Sequence, residues 1–592
     1  MNLKEFIQKS DEILSSMGTE ELRSCLHNIA RKTPESNREE LLHLLDDCLR
    51  QNNRDENDNK LQYKKSIPDD VVDDRLTDIK EDFARIENGE FCFSARGYED
   101  YSNGHWISYL TWEYEDIEGV GRFIEEAALF AYDCVNDCRY EEALSVFKLI
   151  MDTQVFVEDE DGGDSFELSL EEMVEEKLAE VNLRVLALNV LYAEYQLQPV
   201  DKRASELYLY FAYPYFSDIH IEDIFPIGRE ELKDTDMFLQ SWIDFLMRQS
   251  GETAARLLRE GILYHKGADG LVEIANQCYG EHPSIYLAAL LEYEKVHDYK
   301  KMKEIGKEAL DKLDRDLKMR GEIALKTAQA SSCVNDREFM KKCWYEAFYS
   351  NSTISNYLRL FVDKEVVEEY KNLAEERIEK LSIIDNHYNR NISETAKNST
   401  AKIEYQCLNF FAGHFTQIKN WCMEQKNPLG WSGNFIGHGI DLMLLYLYEG
   451  NNLRKAGKEI AARAASRLGF NESKNLVFMK ENSVFETGVV AQKGAEIFWN
   501  VFCLWKINYA ITAEEIKLFV EWLESVIDKR IDGIVGGQYR SKYGDVALLA
   551  AALGELRESL DMKAGKRIIL NRYLERYPRH SSFRSAMNGY MD

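Results

Sequence analysis

Proline is scarce in this chain, with 8 in 592 residues. Proline breaks helix interiors, so its scarcity suits a chain that is mostly helix. Positive charge is also in short supply: 73 lysines and arginines face 104 aspartates and glutamates, a net charge of −31. So acidic a chain repels phosphate backbones and anionic membrane surfaces, and direct nucleic-acid binding is not expected. High acidity commonly serves solubility; mimicry of nucleic acid in front of a basic protein is the opposite use. No run approaches the roughly 18 apolar residues of a membrane span, and none is expected. Residues 1–8 carry charge with no apolar stretch after them, so no secretory leader is expected either. The 11 cysteines are odd in number and follow no disulfide framework, which fits reduced thiols in a cytoplasmic protein. The sequons at Asn351, Asn391, Asn398 and Asn471 then have no consequence.

Chemistry-bearing motifs are missing as well. Gly457-Lys458 lacks the glycine five residues earlier that a phosphate loop needs, and no G-x-S-x-G, H-E-x-x-H or G-x-G-x-x-G occurs. Cys134 and Cys138 stand one helical turn apart without a second ligand pair, so they read as core cysteines. Cys407, His414, Cys422 and His438 are spaced too irregularly for a zinc site. An acidic tract from Glu158 to Glu176 fits no calcium-loop register and reads as a solvated loop plus the acidic first turns of a helix. No catalytic, cofactor-binding or metal-ligating residue is assigned, and no cofactor is implied.

What the chain does have is helical periodicity. Hydrophobic residues make up 45% of it, enough for a large core. At about 150 residues per domain that length allows three or four domains, although a helical solenoid escapes such a count. Residues 124–151 read as two short antiparallel helices. Ile124, Ala127, Ala128, Ala131, Val135 and Cys138 form one stripe, and Ala143, Leu144, Phe147, Ile150 and Met151 the other. Similar pairs are expected at 286–313, 320–349 and 404–423. An aromatic residue, Tyr140, Tyr299, Phe339 or Phe415, follows each break two residues on, and the 40-residue step from Tyr299 to Phe339 is close to tetratricopeptide and HEAT lengths. Further helices are expected at 20–31, 37–50, 74–86, 440–448, 496–510 and 545–556. The expected fold is mostly α: a tetratricopeptide-like or irregular α-solenoid of helical hairpins, with a small aromatic-rich segment near 87–118 as its β candidate. The expected organisation is an N-terminal helical module at 1–50, a polar linker at 51–68, a helix and the aromatic-rich segment at 69–120, a hairpin array at 121–380 and a helical half at 381–592.

Two places attract a binding role. Trp431 and His438 lie among Gly430, Gly433, Gly437 and Gly439, which permit close backbone approach beside an apolar helix. Arg576, Arg579 and His580 belong to a concentrated basic segment that could hold an anion or acidic partner, or neutralise the acidic tract. Short stretches also resemble a family of bacterial proteins, mostly from Firmicutes, with a long helical C-terminal region: 18–23 (GTEELR), 97–101 (GYEDY), 140–143 (YEEA), 429–432 (LGWS), 547–558 and 577–580 (YPRH). Some members carry a SWIM-type zinc finger, whose C-x-C and C-x-H ligands are absent here, so no zinc or nucleic-acid role carries over. The resemblance implies a cytoplasmic bacterial protein with a tetratricopeptide-like body, and it brings no activity with it. The leading functional expectation is a scaffold whose concave face binds a protein or peptide. The alternatives are a small-ligand or enzymatic pocket in the C-terminal half and an acidic nucleic-acid mimic that binds a basic protein.

Overall fold

The computed structural model describes residues 68–100, 109–159, 165–384, 393–431, 433–470, 491–563 and 565–591. The helices expected at 20–31 and 37–50, and the linker up to residue 67, lie outside the described residues. The described chain is mostly α-helical with a small β segment, and it divides into two compact units, one ending at Ile274 and the other beginning at Ala275.

The first unit opens with α1 (Asp69–Glu87), which Pro68 precedes. Its acidic first turn, Asp69 and Asp70, suits the positive end of the helix dipole. Val72, Ile79, Phe83 and Ile86 form its buried stripe. Strands β1 (Phe93–Asp100) and β2 (Tyr109–Glu115) follow as an antiparallel pair. Helices α2 (Val120–Asn136) and α3 (Tyr140–Asp152) are the expected first hairpin. The Asp116 carboxylate caps α2, accepting from the amides of Val120 at 2.8 Å and Gly121 at 3.0 Å. Gly121 is the second residue of the helix. Any Cβ there would sit 1.7 Å from the Leu178 carbonyl oxygen.

After the hairpin the chain returns to the sheet as β3 (Gln154–Asp159), parallel to β1, and β4 (Phe166–Ser169), antiparallel to β3. The strand order is β2-β1-β3-β4. The acidic tract is therefore strand at 158–159 and 166–169, where a solvated loop was expected; residues 160–164 lie outside the described residues. Val155 and Val157 point inward while Phe156 and Glu158 point outward. This two-residue alternation is concealed when the carboxylates are read as one run. The helical part of the expectation holds: α4 (Leu170–Glu175) starts with a capping box between Ser169 and Glu172. On the inner face Ala95 and Gly97 stand opposite Tyr114 and Trp112. These small residues let the sheet curl until Trp112 on one edge strand meets Phe166 on the other, ring centroids 5.0 Å apart. The unit continues with α5 (Leu183–Leu197), α6 (Val200–Tyr210), α7 (Thr235–Leu246) and, up to Ile274, α8 (Glu252–Cys278), which is broken at Gly267, where φ is 70°.

In the second unit, α9 (Ser284–Lys295), α10 (Tyr299–Lys312), α11 (Lys318–Cys333) and α12 (Arg337–Ser350) pack each on the next. Then come α13 (Ile354–Arg359), α14 (Lys364–Glu379), the two-stranded parallel pair β5 (Ser382–Ile384) and β6 (Ser399–Ala401), and the hairpin α15 (Lys402–Phe411) and α16 (Phe415–Glu424). The remaining helices are α17 (Phe435–Leu447), α18 (Lys455–Arg467), α19 (Ala491–Lys506), α20 (Ala513–Gly536), α21 (Tyr543–Ser559), α22 (Lys566–Arg576) and α23 (Ser581–Asn588). One apolar cluster, from Leu310 to Met587, fills the space between them.

The hairpin turns share a backbone device. Cys138, His297, Asn335 and Gly413 each adopt a left-handed conformation, with φ of 62°, 58°, 59° and 84°. In each case one residue separates them from the next helix. Counted from that position, Tyr140, Tyr299 and Phe415 occupy the same place, but in the third hairpin the place belongs to Arg337. Phe339 is one of a different set, so the expected alignment of all four aromatics is corrected there. Cys138, expected on the apolar stripe of α2, has left the helix and is exposed.

Candidate functional site

The glycine-rich segment that attracted a binding role leads into α17. Every residue of this helix is buried except His438, which is partly so. The glycines are there for packing: a Cβ on Gly439 would lie 2.6 Å from the Cys422 sulfur, and one on Gly437 would lie 3.2 Å from the Trp431 carbonyl oxygen. One carboxylate, Asp441, is embedded in this apolar helix at 1% exposure. A buried carboxylate is costly unless it is paired and hydrogen-bonded, and α18 supplies both partners from positions one turn apart. Arg463 donates twice to Asp441, at 2.8 and 2.6 Å. Arg467 donates to Asp441 at 2.8 Å and to the Gly437 carbonyl at 2.7 Å. His438 lies one turn before Asp441. Burial, and then the positive charge of Arg467, push its pKa below the usual value and keep the ring neutral at pH 7. His438, Asp441, Leu442, Ala464, Arg467 and Leu468 line a shallow depression.

The chemistry available here is charge recognition. Two guanidiniums converge on the Asp441 carboxylate, and Asp545 adds a second negative charge near Arg463. Arg467 is the more accessible of the two, with its side chain 36% exposed against 22% for Arg463. The lining holds no serine, threonine, cysteine or lysine; its groups capable of base or nucleophile chemistry are His438 and the arginine-paired Asp441. Among the described residues no three His, Cys, Asp or Glu side chains converge where a metal ion could sit.

No protein-family model, curated protein or solved structure matches the chain.

The five residues singled out from the sequence do not form one site. Trp431 is 9% exposed, with the Arg530 guanidinium 5.0 Å over its ring; Arg530 in turn donates to the Pro428 carbonyl. It belongs to the packing beside α17. Arg576 pairs with Asp528 at 2.8 Å and Asp532 at 2.9 Å on α20. Its neighbour one turn back, Arg572, pairs with Glu524 at 2.8 Å. Glu524, Asp528 and Asp532 recur every four residues and so form one stripe of α20. The basic segment thus neutralises an acidic stripe of its own unit. Arg579 is exposed. The His580 ring packs against Tyr577, centroids 5.6 Å apart, and Tyr543 at 6.5 Å.

Sequence reasoning passed over Asp441, Arg463 and Arg467, although a lone carboxylate within an apolar helix was a readable signal. It also passed over Glu555, which has 1% exposure. The Glu555 carboxylate accepts from the amides of Gly457 at 2.9 Å and Ala456 at 3.3 Å. The first turn of α18, which resembles a fragment of a phosphate loop, therefore has an internal anion in place.

Proposed function

We propose that the protein is an interaction scaffold of the α-solenoid type that binds a protein or peptide partner. The observation that carries this reading is the run of helices from α9 to α12, each packed on the next, with the left-handed residue in the same place at the turns within its two hairpins. Arrays built from such pairs present a continuous face to a partner. We also propose that it works in the cytoplasm of a bacterium and is kin to the Firmicutes family it resembles. Support for the compartment comes from the nine cysteines among the described residues, all free thiols. Among the described residues no helix is long and apolar enough to cross a membrane.

The test is partner capture followed by binding measurement with purified components. Leu291 and Val296, exposed at 39% and 70% at the end of α9, are replaced together by aspartate. A scaffold should yield a partner with a Kd of about 10 μM or tighter, about −7 kcal/mol, and the double variant should weaken it. Failure to obtain any direct, saturable partner sinks the proposal. A second reading, a small-ligand site, draws on the partly exposed Arg467 guanidinium beside His438. It predicts that a small anionic metabolite raises the melting temperature and that His438→Ala or Arg467→Ala removes the shift.

A further inference from the structure

The outer face of the four-stranded sheet faces solvent. Arg96 and Tyr98 on β1, Glu113 and Glu115 on β2, Phe156 and Glu158 on β3 and Glu167 on β4 are all exposed. Their registers place them on one surface: Ser94 pairs with both Glu115 and Glu158, Arg96 with Glu113, Tyr98 with Thr111, and Phe156 with Glu167. Among the described residues this face therefore carries four carboxylates and one guanidinium, with Arg96 directly opposite Glu113. Two aromatic rings lie open among them, Tyr98 at 51% exposure and Phe156 at 37%.

We propose that this face docks a basic polypeptide segment, rich in lysine and arginine; the inference rests on the scaffold reading and names one surface and one partner class for it. Spacing decides against a metal ion. Adjacent strands stand about 4.8 Å apart, so the backbones of Glu115 and Glu158 on strands two apart are separated by about 10 Å, and among the described residues no three His, Cys, Asp or Glu side chains converge as a metal site requires. Side chains of successive lysines and arginines reach across such a row. Exposed aromatic faces accept guanidinium and ammonium groups by cation–π attraction, which plain acidity would not supply.

The test is fluorescence anisotropy with the full chain and a labelled synthetic peptide rich in arginine and lysine, with a glutamate-rich peptide of equal length as control. The face variant replaces Glu113, Glu115, Glu158 and Glu167 by glutamine. The control variant removes the same charge elsewhere, replacing Asp70, Asp73, Asp74 and Asp78 of α1, all exposed, by asparagine. The face variant should bind about tenfold more weakly and with a shallower salt dependence, while the control variant stays within about twofold. The pair Tyr98→Ser and Phe156→Ser, which leaves the charge unchanged, should weaken binding by about threefold. Equal losses in the face and control variants would mean bulk charge alone and would overturn the proposal, as would wild-type protein that does not bind the basic peptide. The aspartate pair on α9 should leave peptide binding unchanged, so failure of the sheet face and failure of the helical array are read separately.

Discussion

Charges placed inside the helices decide where this protein is vulnerable. Glu346 on α12 is 6% exposed. Burial alone would raise its pKa, but hydrogen bonds from Arg315 and Arg320 outweigh burial and hold it below the ordinary carboxylate value. Arg315 donates at 3.1 and 2.6 Å, and Arg320 donates at 2.6 Å while also bonding the Ser350 hydroxyl and the Leu310 carbonyl. The sign of the linkage follows. A carboxylate whose folded pKa is depressed contributes stability above its unfolded value, about 4.3, and loses it as pH falls through the folded value. Urea midpoints measured from pH 7 to pH 3 should therefore fall below about pH 4.3, and the fall should be shallower in Glu346→Gln than in wild type. Parallel curves would show that Glu346 contributes nothing to the acid sensitivity. Such residues were the hardest to see in the sequence. A charged letter on a helix reads as surface, and only the partner arriving from another helix reveals it as core. Asp441 differed in having apolar neighbours on both sides, and it was legible on that ground alone.

Helices were legible where apolar letters recur at helical spacing, and the first hairpin shows why. Ala127 and Ala131 on α2, and Ala143, Phe147 and Ile150 on α3, are all fully buried. The Phe147 ring meets Tyr132 of α2 with centroids 5.6 Å apart. Small residues on one helix and a large ring on the other close the pair. Phe147→Ala should cost about 3–5 kcal/mol through lost burial and an unfilled cavity. Hydrogen exchange should show that loss first in α2 and α3, because cooperative units open locally before the whole chain does. Unchanged protection across 120–152 would refute the packing described for this pair. Strands were less legible. The outer positions of β3 and β4 carry carboxylates, so charge obscured an alternation that is plain once Val155, Val157 and Leu168 are seen to be buried. The sheet also joins β1 to β3 across a helical hairpin, a pairing between distant segments that local periodicity cannot show.

At the scale of the whole molecule the net charge of −31 works against compaction, since like charges within a screening length repel. The ion pairs work in the other direction. Arg576 between Asp528 and Asp532, Arg572 and Arg557 on Glu524, and Arg463 and Arg467 on Asp441 each spend a scarce cation on a local acidic group. Salt weakens both effects, but unequally. Exposed pairs contribute little, about 0–1 kcal/mol each, and the buried Asp441 pairs are poorly reached by screening ions. The surplus of 31 negative charges is screened increasingly as the Debye length shrinks from about 30 Å at 0.01 M to about 8 Å at 0.15 M. Repulsion should therefore be the larger quantity removed. The melting temperature is expected to rise between 10 and 150 mM sodium chloride, which differential scanning calorimetry can follow. A fall over that range would mean that surface ion pairs such as those of α20 and α22 outweigh the repulsion, and that the acidity is organised into stabilising networks rather than left open to solvent and to basic partners.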